Sequence, residues 1–118
     1  MAKFLFLYRS ATDKDAPEPS PDEMEQIMKS WWSWLRAGEA AGWVLEMGEA
    51  LTPDGKVVQA DHTVTDGPYA ETREMVGGYT LVEAPNIERA AEHAKGCPIF
   101  ESGGKVEVRP IMDTSEPG

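Results

Sequence analysis

The chain has 118 residues, 41% of them hydrophobic and 27% charged, the proportions of one folded globular domain. Its formal net charge of −10 repels phosphate backbones and anionic membrane surfaces, which speaks against nucleic acid or a membrane as partner. No apolar run approaches the ~20 residues of a membrane-spanning helix, and the single cysteine, Cys97, leaves no internal disulfide to form, so a cytoplasmic setting is expected.

Met1 to Arg9 is too short for a secretory apolar segment and lacks a small-residue cleavage site; residues 3–8 read as a first, buried strand. Residues 10–19 carry turn formers and no apolar period, and read as a loop. Ser20-Pro21-Asp22-Glu23 starts a helix: Ser20 caps, Pro21 fits the first helical position and Glu23 completes a capping box. Met24, Ile27, Met28, Trp31 and Leu35 then form one apolar stripe, and the helix stops near Ala41 at Gly42. Trp31 belongs to the core. Trp32 and Trp34 cannot both join the stripe, and an exposed tryptophan marks an interface or a pocket wall.

Trp43 to Leu51 reads as a strand, Pro53-Asp54-Gly55 as a turn and Lys56 to Thr65 as the returning strand. Asp66-Gly67-Pro68 breaks the ladder. Met75 to Glu83 is a further strand whose Gly77-Gly78 pair marks a bulge or a close backbone approach. Asn86 caps a second helix with Ile87, Ala90, Ala91 and Ala94 on its narrow apolar face, and Gly96 ends it. His93, beside Glu92 and Lys95, is expected at the surface. In Lys105 to Pro110, Val106 and Val108 face one way, Glu107 and Arg109 the other. Residues 113–118 read as a disordered tail, leaving 1–112 as a single domain.

This order is βαββαβ with an extra hairpin, an α+β fold of ferredoxin-like type. Each helix has one apolar face, so both cover the same side of an antiparallel sheet. The bare side is expected to meet a second copy of the chain, as a homodimer.

The segment Asp66-Gly67-Pro68-Tyr69-Ala70-Glu71-Thr72-Arg73-Glu74 is similar to the DGPF motif, with Tyr69 in place of its Phe. Gly77-Gly78-Tyr79, the acidic alanine-rich helix, Cys97-Pro98 and Val106-Glu107-Val108-Arg109-Pro110 also match. Over nearly its whole length the chain resembles the DGPF branch of the YCII-related family. The resemblance implies a dimeric α+β barrel, sheet facing sheet. Related barrels hold small organic ligands between sheet and helices, and some are isomerases, lyases or oxygenases. Members of the branch sit beside alternative sigma factors, which implies an accessory regulatory role. The acid–base pair proposed for the wider family is a His on the first helix and an Asp before the Pro that follows the second. Here no His lies between Ser20 and Gly42, and Cys97 precedes Pro98, so that pair is missing.

Asp66, Tyr69, Glu71, Arg73 and Glu74 crowd carboxylates around a guanidinium, a set that shifts its own pKa values and binds polar ligands. The structural alternative is an Asx bond from Asp66 and simple ion pairs from Glu71 and Arg73. His62 shares a strand face with Val58, Ala60 and Val64 and suits a general base oriented by Asp66 or Glu71; the alternative is a hydrogen-bonded, partly buried His. With Val106 and Val108 packed on the helices, Glu107 and Arg109 face the barrel, where they grip a ligand or lock two chains together, with Tyr8 and Arg9 lining the same cavity. Cys97 follows a helix C-terminus, whose field raises a thiol pKa, so a packed, unreactive thiol is expected. Two histidines and one cysteine far apart in sequence make no metal signature, and no cofactor is indicated. The reading is a small-ligand-binding or accessory regulatory dimer. The alternative is an isomerase- or lyase-like enzyme acting on a hydroxylated or aromatic compound through the 66–74 cluster.

Overall fold

A computed structural model describes residues 1–11, 17–67 and 74–116. Among these the elements run β1 (Ala2–Ala11), α1 (Pro21–Ala41), β2 (Val44–Glu46), β3 (Gly55–Val58), β4 (Val64–Gly67), β5 (Glu74–Ala84), α2 (Ile87–Ala94) and β6 (Lys105–Pro110), with a short 3-10 helix at Pro98–Ser102.

The helix ends follow local chemistry. The Ser20 hydroxyl accepts from the Glu23 amide at 3.1 Å, and the Glu23 carboxylate accepts from the Ser20 amide at 3.4 Å. Gly42 closes α1 with φ 89°, a left-handed position that costs glycine little. Asn86 Oδ1 accepts from the Arg89 amide at 2.9 Å and opens α2.

The main sheet has the order β2-β5-β1-β6, with every neighbouring pair antiparallel, which is the ferredoxin-like arrangement. Alternation along β1 sends Phe4, Phe6 and Tyr8 into the core, where they meet Val82 and Ala84 of β5 and Ala90 and Ala94 of α2. Trp31 and Trp34 of α1 pack on the same cluster, so both helices lie on one face. Phe6 stacks on Trp34 at 6.3 Å between ring centroids, and Tyr8 meets Trp31 edge-on at 4.7 Å. A β-carbon on Gly38 would sit 2.6 Å from the Trp43 and Val44 side chains, so its absence lets α1 close on β2.

The apolar stripe of α1 becomes core only from Trp31 onward. Met24, Ile27 and Met28 remain 45%, 39% and 50% exposed. Trp34 joins the core, while Trp32 stays outside under the Arg36 guanidinium, 5.2 Å from its ring centre.

Two strand assignments from the sequence are corrected. The strand from Trp43 covers only Val44–Glu46, because Gly48 takes φ 77° against the Tyr79 carbonyl; the chain then rejoins the sheet where Ala50 pairs with Gly78. Lys56 to Thr65 is not one strand. It folds back on itself as β3 and β4, a two-stranded sheet apart from the main one, with Val58 opposite Val64 and Lys56 opposite Asp66. The reversal is local. Asp61 accepts from the Thr63 amide at 3.0 Å and hydroxyl at 2.6 Å, and His62 between them adopts φ 72°. β1 also extends to Ala11, past its expected end at Tyr8. No described helix is long and apolar enough to cross a membrane.

Candidate functional site

The face of the sheet away from the helices is built by the odd-numbered residues of β1. Leu5 lies between Leu81 and Arg109, Leu7 between Tyr79 and Glu107, and Arg9 between Val76 and Lys105. Partners across strands share a face, so Leu5, Leu7, Tyr79 and Leu81 form a half-buried apolar floor. A charged row borders it. Arg9 Nη1 donates to Glu107 Oε1 at 2.6 Å, and its Nε lies 3.5 Å from Glu74 Oε2. Lys105 Nζ reaches the other Glu74 oxygen at 2.6 Å, and Arg109 Nη1 reaches Glu107 Oε2 at 3.2 Å. The sequence of charges is Lys105, Glu74, Arg9, Glu107, Arg109, alternating in sign.

Glu74 reaches this face because of a bulge. β1 and β5 stay in step as far as Tyr8 with Gly78, then resume at Arg9 with Val76, leaving Gly77 as an extra residue. The extra residue switches the parity of β5, so even-numbered Glu74 and Val76 share the face of odd-numbered Tyr79 and Leu81. Gly78 meets a close backbone as well: a β-carbon there would sit 2.8 Å from the Glu49 carbonyl oxygen. The row's cations hold both carboxylates ionised. Lys105 above all, then Arg9, keeps Glu74 below the usual carboxylate range, and Arg9 followed by Arg109 does so for Glu107.

Of the residues singled out from sequence, Arg9, Glu74, Glu107 and Arg109 are brought together. Lys105 was missed, although it continues the alternation of Glu107 and Arg109 on β6. Tyr8 belongs elsewhere: it points to the helix side, where its hydroxyl donates to Thr80 Oγ1 at 2.5 Å and Thr80 donates to the Met47 carbonyl at 2.9 Å. Burial pushes the Tyr8 phenol well above its ordinary pKa. His62 sits at the exposed tip of the β3–β4 hairpin rather than on a strand face with Val58, Ala60 and Val64. Asp66 lies on β4, exposed and paired with Lys56 across the hairpin; the residues that an Asx bond would reach lie outside the described residues. No hydrogen bond joins His62 to Asp66 among the described residues. Tyr69, Glu71 and Arg73 lie outside the described residues.

Two clefts complete the picture. One, of about 400 Å³, is open to solvent between the root of the hairpin and β5, walled by Leu51, Pro53, Val57, Met75 and Val76 and touched by Glu74. The other, of about 640 Å³, lies where Lys29, Ser30 and Ser33 of α1 face Cys97 and Pro98. This is where the resemblance would place a His–Asp pair, and no histidine lines it. Cys97 is buried, and burial pushes its thiol up to about 11, so it is protonated at neutral pH. The space between sheet and helices is filled by Phe6, Tyr8, Trp31, Trp34 and Trp43. His93 is half-buried, contrary to its expected exposure. It lies flat on Trp43, with centroids 4.5 Å apart and planes 7° from parallel, and desolvation followed by the nearby Arg89 lowers its pKa. Among the described residues no three His, Cys, Asp or Glu side chains converge as a metal site.

Strand order, the one-sided helices and the charged row define a ferredoxin-like α+β domain with no described helix on one face of its sheet. Residues 4–115 match the YCII-related domain, and the chain belongs to that family. No curated protein matches it.

Proposed function

We propose that the chain is a DGPF-type homodimer that closes sheet against sheet and binds a small organic ligand, acting as a ligand-binding or accessory regulatory protein. The observation that carries this reading is the helix-free face, an apolar floor of Leu5, Leu7, Tyr79 and Leu81 with an alternating row of five charges at its border.

Both helices pack on the other side of the sheet, so a second copy is the simplest cover for this apolar floor. An alternating row, displaced by one position against its two-fold copy, sets opposite charges opposite each other.

The available proton-transfer groups favour binding over catalysis. Cys97 holds a neutral thiol in place of a carboxylate, His93 is stacked on an indole, and His62 stands at a hairpin tip apart from any orienting group among the described residues. A regulatory role in an alternative sigma factor pathway rests on the resemblance. A cytoplasmic location agrees with the one free, buried cysteine, which needs no oxidising compartment.

Native mass spectrometry of the purified protein tests this reading. A two-chain mass carrying an adduct, released on denaturation as a small organic compound, is the expected spectrum. A single-chain mass without adduct, over all concentrations sampled, contradicts it.

A further inference from the structure

The groove between α1 and the segment after α2 gathers hydrogen-bond donors. Lys29, Ser30, Ser33 and Trp34 share one side of α1 by their spacing, and Lys95 faces them from the C-cap of α2. Trp34 carries the argument. Its rings belong to the aromatic core with Phe6, Tyr8 and Trp43, but its Nε1 lies beside Gly96, where a β-carbon would come within 3.1 Å of it. An indole N–H only donates, and at the edge of a core it ordinarily finds an acceptor. Among the described residues none accepts from it, and no buried side-chain nitrogen goes unpaired, so this N–H opens on the groove. Gly96 keeps the opening. It is not one of the glycines with positive φ, so the backbone there accepts a side chain; what the missing β-carbon leaves is access to the indole edge.

The surrounding charge fits an acceptor that is an anion. Acids outnumber bases by 21 to 11 over the whole chain, yet along the groove two lysines stand against one acid, Glu101. Glu25 holds Lys29 at 3.4 Å and Glu92 holds Lys95 at 2.7 Å, both in exposed pairs that contribute little and leave the ammonium groups free to turn. Lys95 also offsets the negative end of α2. The rest of the groove is apolar: Phe100, 47% exposed, and Pro98 form a flat wall. Its volume of about 640 Å³ lies within the ~300–1,000 Å³ of small-molecule sites.

We propose that this groove binds a small aromatic carboxylic acid: one carboxylate oxygen accepts from the Trp34 indole N–H, Lys29 and Lys95 close on the other, and the ring lies against Phe100. The inference rests on the ligand half of the reading above, to which it adds a place and a chemical class, and it does not require the dimer.

Titration of the full, nitrogen-15-labelled chain with sodium benzoate, followed by the assigned indole N–H resonance of Trp34, tests the groove. A saturable downfield shift of that resonance is expected. Lys29→Gln/Lys95→Gln changes two exposed side chains, so the fold survives, and the benzoate dissociation constant is expected to rise by about tenfold or more. Gly96→Ala covers the indole edge and is expected to weaken binding as well, while the near-ultraviolet signal of the tryptophans persists. A Trp34 resonance that does not respond, or one that responds equally in the double lysine variant, overturns the proposal. Benzyl alcohol, which keeps the ring without the carboxylate, and inorganic phosphate, which keeps the charge without the ring, are expected to bind more weakly; equal affinity for either overturns the assignment of an aromatic carboxylate. A two-chain mass with a small organic adduct beside a silent Trp34 resonance overturns the groove and leaves the ligand-binding dimer standing, whereas benzoate binding to a chain that stays monomeric supports the groove and contradicts the dimer.

Discussion

Arg9 on β1 holds Glu107 on β6 at 2.6 Å and Glu74 on β5 at 3.5 Å, so one guanidinium ties together the strands on both sides of it. It does so on the face without helices. Arg9→Gln leaves Lys105 with Glu74 and Arg109 with Glu107 but removes the link between the two halves of the row. The protomer fold is expected to survive, because partly exposed ion pairs contribute little to stability. The dimer is expected to weaken by ~30-fold or more, the usual outcome when a charge pair sealed in an interface loses a partner. Dilution monitored by sedimentation checks this, and an unchanged dissociation constant counts against a role for the row in the interface.

The acid limb of stability is expected to have two steps. His93, pressed flat on Trp43, has its pKa lowered from the ordinary 6.5, so the unfolded chain takes up that proton first. Stability is full above that value and declines gently as pH falls below it. Glu74 and Glu107 have folded pKa values below the usual 4.5; their contribution is present above 4.5 and is lost as pH falls through the folded values. Urea midpoints measured from neutral pH into the acid range show both steps at fixed protein concentration. His93→Phe is expected to remove the first and leave the second.

Phe6 is fully buried between Trp34 and Trp43 at the centre of the aromatic layer. Phe6→Ala is expected to cost about 3–5 kcal/mol, read from denaturant unfolding at constant protein concentration. Gly48→Ala acts on the backbone instead. The residue has φ 77°, and a β-carbon would come 1.8 Å from the Tyr79 carbonyl oxygen, so a loss of about 2 kcal/mol or more is expected in the same assay.

What the sequence made legible was local. Ser20, Glu23 and Gly42 act within one turn of chain, and α1 begins and ends where they place it. The Gly77-Gly78 pair announced the bulge. The hairpin was hidden because Val58, Ala60, His62 and Val64 keep the two-residue period of a strand straight through the turn. Only the Asp61 carboxylate bonding to Thr63 betrays the reversal, and a single Asp before a Thr is a weak signal. Tyr8 and Arg9 were assigned to one cavity although neighbours on a strand face opposite ways. Trp34 entered the core at the expense of Met24, Ile27 and Met28, because tertiary packing rather than helical periodicity decides which part of a stripe meets the sheet. Within the charged row, Arg9, Glu107 and Arg109 follow from strand alternation, while Glu74 shares their face only through the bulge.

Cys97 is expected to be inert in the folded chain. Its thiol sits at about 11, so even at pH 9 about one in a hundred is ionised, and the residue is buried as well. Reaction with a chromogenic disulfide reagent in mildly alkaline buffer is expected to be slow until urea unfolds the protein and then complete. Fast reaction of the native protein would reopen a nucleophilic role for the groove between α1 and Pro98.

The helix-free sheet face is tested most directly by sedimentation equilibrium of the purified chain beside Leu7→Lys, a change on the apolar floor that leaves the helix-side core untouched. Wild type is expected at twice the 13.0 kDa chain mass, and the variant at the mass of one chain with its tryptophan signal intact. A wild-type chain that stays at single mass when concentrated, or a Leu7→Lys variant that dimerises as tightly as wild type, contradicts a second copy on that face.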